Sequence, residues 1–168
     1  MKSEVFERVM KLEDRHGPRE HGKVCQKLLA LAFRRAGYLH IVERGVQGVD
    51  VDAATPDGKR YAVEVKTVRS AHVTFGRKDA EGLCRRQTDG YTPLLAVLRL
   101  EPFSSWYFVK AGGLAPGRHL LESLRARRLR SLESLVEPLF DEVLLEHFEG
   151  ALGGGQGYMD SVLRGSGV

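Results

Sequence analysis

The chain has 168 residues, of which 42% are hydrophobic and 29% are charged, and its formal net charge is +4. These values are typical of one soluble globular domain with a sizeable core. No apolar run approaches the roughly 18 residues of a membrane span, and the charged opening does not have the pattern of a signal peptide. We therefore expect a cytoplasmic protein with no membrane partner, whose positive charge favours a polyanionic partner.

Two helices separated by a short break are predicted at the start of the chain. Apolar residues recur at helical spacing over residues 3–13, with Ser3 as the N-cap. Gly17 and Pro18 interrupt this pattern, and proline commonly begins a helix. The second helix is expected to end at Gly37, in the position that glycine often takes after a helix.

A β-hairpin is predicted after a short strand at residues 38–42. Residues 48–53 and 62–66 both alternate between polar and apolar side chains, as strands with two different faces do. The Pro-Asp-Gly sequence at 56–58 is typical of a tight turn. The two strands should therefore pair.

The hairpin gathers charged side chains on one surface. Side chains at positions i and i+2 of a strand share a face, so Glu64 lies beside Lys66, and Asp50 beside Asp52. Neighbouring carboxylates repel unless a cation lies between them, and Mg²⁺ prefers hard oxygen ligands. A lysine beside the metal could orient an attacking water and stabilise charge on a phosphate. The alternative is an ordinary exposed charged face.

Asp50 followed by the Glu-Val-Lys sequence at 64–66 resembles the signature of the PD-(D/E)xK nuclease superfamily. The resemblance implies a restriction-endonuclease-like fold. It also implies that Asp50, Glu64 and the backbone carbonyl of Val65 hold Mg²⁺, for which Mn²⁺ could substitute. Lys66 would assist the attack of water. Asp50 fits the family pattern better than Asp52, which stays as the second candidate for the metal ligand.

The elements after the hairpin complete an α/β pattern. Residues 72–75 predict a short strand and residues 77–87 a helix. Residues 93–100 form a nearly continuous apolar run, which is typical of a central strand, and residues 106–110 predict another strand. This order predicts a mixed β-sheet flanked by helices.

One nuclease domain is predicted over residues 1–152, with its core at about 17–112. A helical extension at 113–152 should include a helix at 119–129. The glycine-rich residues 153–168 predict a flexible tail.

The helix before the hairpin resembles that of one particular family within this superfamily. Gly22, four residues before Gln26, and the pair Gly37–Tyr38 at the helix end are similar to the opening helix of archaeal-type Holliday junction resolvases. Gln26 stands where that family has a glutamate. The resemblance implies that Gln26 belongs to the catalytic set, where it could position a metal-bound water. The similarity continues to about Lys110.

The resemblance implies a Mg²⁺-dependent, structure-selective endonuclease that resolves four-way DNA junctions by paired symmetric cleavage. A C₂ homodimer would supply the two sites that two symmetric nicks require. Basic residues should bind phosphates without reading bases. The candidates for this role are Arg15, Arg19, Lys23, Arg44, Arg69, Arg77 and Lys78.

Two other functions stay open: a DNA repair or restriction endonuclease on the same fold, and a non-catalytic DNA-binding module. An ordinary metabolic enzyme lacks support, because the sequence has no P-loop, dinucleotide-binding fingerprint or zinc-ligand spacing.

The predicted C-terminal helices are dense in apolar residues. An exposed patch of that size usually marks an interface, although packing in the core explains the pattern as well. This region is therefore a candidate part of the dimer contact. The residues are Leu129, Leu132, Leu135, Val136, Leu139, Phe140, Val143, Leu144 and Phe148.

Overall fold

A computed structural model describes residues 2–44 and 48–165. The strands are β1 (Leu39–Glu43), β2 (Val51–Ala54), β3 (Arg60–Val68), β4 (His72–Phe75), β5 (Thr92–Arg99), β6 (Trp106–Lys110) and β7 (Gly117–Leu120). The α-helices are α1 (Ser3–Arg35), α2 (Arg77–Thr88) and α3 (Arg130–Gly165). Within the described ranges, no helix is both long enough and apolar enough to cross a membrane.

The central sheet is mixed and has five strands in the order β1-β2-β3-β5-β6. The strand β3 pairs antiparallel with β2 and parallel with β5, whereas β6 is antiparallel to β5. Most of β5 is buried, as its apolar sequence predicts for a strand covered on both faces. The prediction of a mixed sheet flanked by helices is confirmed.

The sheet separates two hydrophobic cores. Adjacent residues of β3 point into different cores: Val63 packs with residues of α1 and α3, whereas Ala62 packs with Leu83 of α2. This alternation follows from the pleat of a strand. Glu64 and Lys66 continue the Ala62 side of β3, the side that faces α2.

The predicted break in the first helix is confirmed as a kink in α1. Gly17 has a φ of 78°, outside the helical region, immediately before Pro18. At the other end, Gly37 adopts a φ of 86° just beyond the helix, which is favourable for glycine. Ser3 is not the N-cap as predicted: Lys2 occupies that position and Ser3 begins the helix.

The helix predicted at 119–129 is wrong. Gly117–Leu120 forms β7, which pairs antiparallel with β4 in a separate two-stranded sheet, and Leu121–Arg127 is a 3₁₀ helix. β7 satisfies the backbone groups of β4, which lies outside the central sheet. Leu121 and Leu124 of this 3₁₀ helix pack in the same core as Leu83 of α2. These long-range contacts outweigh the local helical spacing.

The glycine-rich segment at 153–165 is helical, so the prediction of a flexible tail is wrong there. Gly155, with a φ of 52°, kinks α3, and the turns beyond it pack against α1. The Gln156 backbone N–H donates a hydrogen bond of 2.9 Å to Glu20 Oε1, and Met159 is fully buried. These contacts offset the low helix propensity of glycine. The last three residues of the predicted tail lie outside the described chain.

Most apolar side chains of α3 pack inside the chain. The Phe140 ring meets Trp106 of β6 at a centroid distance of 5.0 Å. Of the residues considered for a dimer contact, Leu135 is 46% exposed, and the others are buried or partly buried. Packing in the core, which the sequence left open as the alternative to an exposed patch, therefore explains the apolar residues of these helices, and the homodimer stays a prediction.

Candidate active site

A cleft of about 400 Å³ lies at the second half of β3, between this strand, α1 and the bend before β2, and side chains from both faces of β3 line it. It is lined by Arg19, Gly22, Lys23, Gln26, Asp50, Glu64, Val65, Lys66 and Thr67. This set includes every residue predicted to be catalytic. Three elements bring these residues together: α1, the bend before β2, and β3.

Asp50 is fixed across from β3. Its backbone N–H donates to the Val63 carbonyl at 2.9 Å. Its Oδ2 accepts a hydrogen bond of 2.8 Å from the Val65 backbone N–H, and its Oδ1 lies 3.4 Å from Lys23 Nζ. Backbone contacts therefore hold the Asp50 carboxylate toward the cleft, and the Lys23 ammonium group lies beside it.

Glu64 is a buried carboxylate with one satisfied oxygen. Its side chain is 7% exposed, and Oε1 accepts a hydrogen bond of 2.7 Å from Lys66 Nζ. No residue in the described part of the chain hydrogen-bonds Oε2. Burial and the neighbouring Asp50 raise the pKa of Glu64 to about 7, although Lys66 opposes this shift.

The donor set of this cleft fits Mg²⁺ or Mn²⁺. Mg²⁺ is commonly bound by one or two carboxylates and several waters, and a cation would satisfy the buried Oε2 of Glu64. Asp50, Glu64 and the Val65 carbonyl could hold it. No group of three acidic, histidine or cysteine side chains with metal-binding geometry occurs among the described residues. A metal here would therefore depend on these two carboxylates, the carbonyl and water.

Lys66 connects β3 to α2. Its Nζ lies 2.7 Å from Glu64 Oε1 and 2.9 Å from Asp79 Oδ2. Burial alone would lower the pKa of Lys66, but the two carboxylates hold it above its ordinary value. The ammonium group is therefore charged. The sequence analysis did not identify Asp79. The sequence indicates it only as an acidic residue in the first turn of α2.

The side chain of Gln26 is buried and engaged by protein groups. Its Nε2 donates to Glu43 Oε1 at 2.9 Å and to the Asp50 carbonyl at 3.3 Å, and its Oε1 accepts from Lys23 Nζ at 2.9 Å. Both amide protons are thus used. Only Oε1 could contact a metal-bound water, so the predicted catalytic role stays a prediction.

A buried lysine links Gln26 to the C-terminal helix. Lys27 is 5% exposed and its Nζ lies 2.6 Å from both Glu43 and Asp160. Burial would lower the pKa of Lys27, but Asp160 and Glu43 hold it above its ordinary value. Glu43 thus contacts Gln26 on one side and Lys27 on the other, which ties the end of α3 to the wall of the cleft.

Of the predicted phosphate-binding residues, Arg19 and Lys23 line this cleft, and three members of the set are paired with carboxylates. Lys23 contacts Asp50, Arg44 pairs with Asp52, and Arg69 pairs with Glu13. A second cleft, of about 600 Å³, adjoins the first at Lys66 and extends to the start of α2. The exposed candidates are Arg15, Arg19, Arg69, Arg77 and Lys78.

No protein-family model and no curated protein matches this sequence. Among solved structures, the chain is similar to Hjc, a Holliday junction resolvase from the archaeal hyperthermophile Archaeoglobus fulgidus. The TM-score is 0.51 at 15% sequence identity, and the match covers 63% of this chain and 89% of that chain. The two chains share a fold. The nuclease-like arrangement of sheet and helices expected from the sequence is thereby confirmed at the level of the fold.

The second candidate aspartate lies in a different environment. Asp52 is buried, and its Oδ2 accepts hydrogen bonds from Arg44 and Arg86. The Arg86 guanidinium also lies over the Tyr91 ring, 3.8 Å from the centroid. Asp52 does not line the cleft that contains Asp50. Its contacts fit a role in holding α2 against the sheet.

The two aspartates can be separated by matched substitutions. If the predicted metal site is correct, Asp50→Asn should lower the cleavage rate by about 10²-fold or more with little change in stability, because it removes a carboxylate from the predicted metal-binding set. Asp52→Asn should instead lower the free energy of unfolding by about 1–3 kcal/mol, since two arginines lose their counter-charge. Junction cleavage and urea unfolding of both variants provide the comparison. A larger loss of cleavage in Asp52→Asn would reverse the assignment.

Gln26→Ala should lower cleavage by about tenfold, because Lys23 and the Asp50 carbonyl lose their common partner. Gln26→Glu lacks the Nε2 donors and places a carboxylate against Glu43, so it should be no more active than the alanine variant. Single-turnover cleavage of a junction measures both. Wild-type activity in Gln26→Ala would show that this residue only packs.

Proposed function

We propose that this protein is a divalent-metal-dependent endonuclease that resolves four-way DNA junctions. The proposal rests mainly on the buried and incompletely hydrogen-bonded carboxylate of Glu64. This buried carboxylate lies beside Asp50 and Lys66, and no described residue satisfies its Oε2. An unpaired buried carboxylate oxygen is costly for stability alone, but it is a suitable ligand for a hard cation. The fold that the chain shares with Hjc supports the same proposal.

The residues of the cleft have distinct roles in this reaction. Asp50, Glu64 and the Val65 carbonyl would hold the metal, which supplies Lewis-acid polarisation of the phosphate and an activated water when bound. Lys66 places a charged ammonium group beside Glu64, where it can hydrogen-bond a phosphate oxygen or orient the water.

The substrate is bound through its backbone. Exposed basic side chains lie on both sides of β3: Arg15 and Arg19 on α1, and Arg77 and Lys78 at the start of α2. Such contacts bind phosphates without reading bases, which suits a substrate defined by its geometry.

Two symmetric nicks require two active sites, so the functional unit is a C₂ homodimer. Sedimentation of the protein at micromolar concentration, alone and with an immobile junction, tests this assembly. A monomer under both conditions would contradict it.

Substrate selectivity is tested by competition binding in Ca²⁺. An immobile four-way junction and linear duplexes of the same sequences compete for the protein at fixed salt, since the affinity depends strongly on salt. We expect the junction to bind more tightly. Equal binding, with cleavage of the duplex in Mg²⁺, would instead indicate a repair or restriction endonuclease. Tight binding to the junction without nicking in Mg²⁺ or Mn²⁺ would indicate a non-catalytic module.

A further inference from the structure

We infer that Asp79 is a positioning residue that holds the ammonium group of Lys66 for cleavage. The inference rests on the proposed nuclease function and deepens it. It extends the site to α2, an element that contributes no residue to the Asp-Glu-Lys signature.

Asp79 makes two contacts through one oxygen. Its Oδ2 accepts a hydrogen bond of 2.9 Å from the Gly76 backbone N–H and lies 2.9 Å from Lys66 Nζ. Asp79 is the third residue of α2, where the partial positive charge of the helix N-terminus stabilises a carboxylate. The side chain is 15% exposed. The hydrogen bond from the Gly76 backbone N–H therefore fixes the Asp79 carboxylate beside Lys66.

Lys66 requires such a partner because its side chain is long and flexible. A lysine has four rotatable carbon–carbon bonds and loses considerable conformational entropy when it is fixed. Glu64 provides one contact from the same strand, at 2.7 Å. A cation bound by Glu64 would compete with Lys66 for that carboxylate, and Asp79 would then be the acceptor that still holds the ammonium group.

The location of Asp79 agrees with this role. Lys66 lines both clefts, whereas Asp79 lines only the second one, which extends toward α2. Asp79 therefore contacts Lys66 from the second cleft, whereas Asp50 and Lys23 line only the first. It holds the ammonium group at the junction of the two clefts without being part of the predicted metal-binding set.

Asp79→Asn removes the charge and keeps the shape and an acceptor for the Gly76 N–H. We expect its single-turnover rate at saturating junction to fall by about tenfold, with unchanged junction affinity in Ca²⁺ and only a small decrease in melting temperature, since Lys66 keeps Glu64 as a counter-charge. Asp79→Glu should recover most of the rate, because it restores a carboxylate in the first turn. Glu81→Gln, the same charge change at an exposed position of α2, should behave as wild type.

A second readout does not depend on activity. In metal-free and DNA-free protein with ¹³C-labelled lysine, the two Hε protons of an immobilised Lys66 should have different chemical shifts. The difference between the two shifts should decrease in Asp79→Asn, where Glu64 alone holds the ammonium group, and stay unchanged in Glu81→Gln. Lys66→Met identifies the resonances and serves as the catalytic control.

The outcomes separate the inference from the proposed function. Wild-type cleavage and unchanged Hε shifts in Asp79→Asn, with an inactive Lys66→Met, would overturn the role of Asp79 and leave the nuclease function standing. Wild-type cleavage by Lys66→Met would overturn the function itself. A parallel loss of melting temperature and junction affinity in Asp79→Asn would show a structural role and overturn the inference.

Discussion

Glu64→Gln should lower junction cleavage by about 10²-fold or more, although it preserves the shape of the side chain. The substitution replaces a carboxylate ligand with a neutral amide at the centre of the predicted metal-binding set. Binding to the junction in Ca²⁺ should largely survive, because the exposed basic residues proposed to contact phosphates are unchanged. Glu81→Gln is the matched control, since it removes an exposed glutamate outside the cleft.

The same variant should be more stable than wild type at alkaline pH without metal. Burial and Asp50 raise the pKa of Glu64 from its ordinary value of 4.5 to about 7. The folded state therefore binds this proton more tightly than the unfolded state does, and the stability of the metal-free protein falls as the pH rises from the ordinary glutamate range through 7. Glutamine removes the group, so Glu64→Gln should lack this decrease.

Thermal unfolding in EDTA at about pH 5 and about pH 8 measures this difference. Mg²⁺ should raise the melting temperature of the wild type at the higher pH, and should do so much less in Glu64→Gln, because a ligand stabilises the state that binds it. Wild-type nicking by the variant, or identical pH dependence in both proteins, would remove Glu64 from the site.

A chain that ends at Gly153 should be severely destabilised. The truncation removes Met159, which is fully buried, and loss of a buried methionine side chain alone costs about 2–5 kcal/mol. It also removes Asp160, one of the partners of the buried Lys27. Since small domains are stable by only about 5–15 kcal/mol, this loss is a large fraction of the total.

Urea unfolding compares this truncation with a chain that ends at Gly165, which retains the described contacts of α3. The longer chain should unfold as wild type does. Met159→Ala should reproduce part of the loss in the full-length protein. If the shorter truncation and the wild type unfold at the same urea concentration, the terminal turns of α3 contribute nothing to stability.

The sequence predicts the elements whose signal is local. The turn at 56–58 and the alternation over 62–66 locate the hairpin, and the apolar run at 93–100 locates the central strand β5. The predictions were wrong for the elements whose conformation depends on distant partners. Gly117–Leu120 becomes a strand because β4 lies beside it, and the glycine-rich end is helical because it packs against α1.

The site could be predicted in part for the same reason. The spacing of Glu64 and Lys66 places them on one face of β3, as the structure shows. The alternation of polar and apolar residues could not show which of Asp50 and Asp52 lines the cleft. Asp50 lies in the bend before β2, and Asp52 pairs with Arg86, which is distant in sequence. Asp79 could not be predicted, since it meets Lys66 only after α2 has packed on the sheet.

Metal-dependent cleavage of branched DNA by the wild-type protein is tested most directly with an immobile four-way junction. Each of its four strands is end-labelled in turn, and the junction is incubated with Mg²⁺ or EDTA, with Glu64→Gln purified in parallel. We expect nicks at symmetric positions in two opposing strands, which require Mg²⁺ and are lost in the variant. Intact strands in both Mg²⁺ and Mn²⁺, or equal nicking by Glu64→Gln, would contradict the assignment of this cleft as a nuclease site.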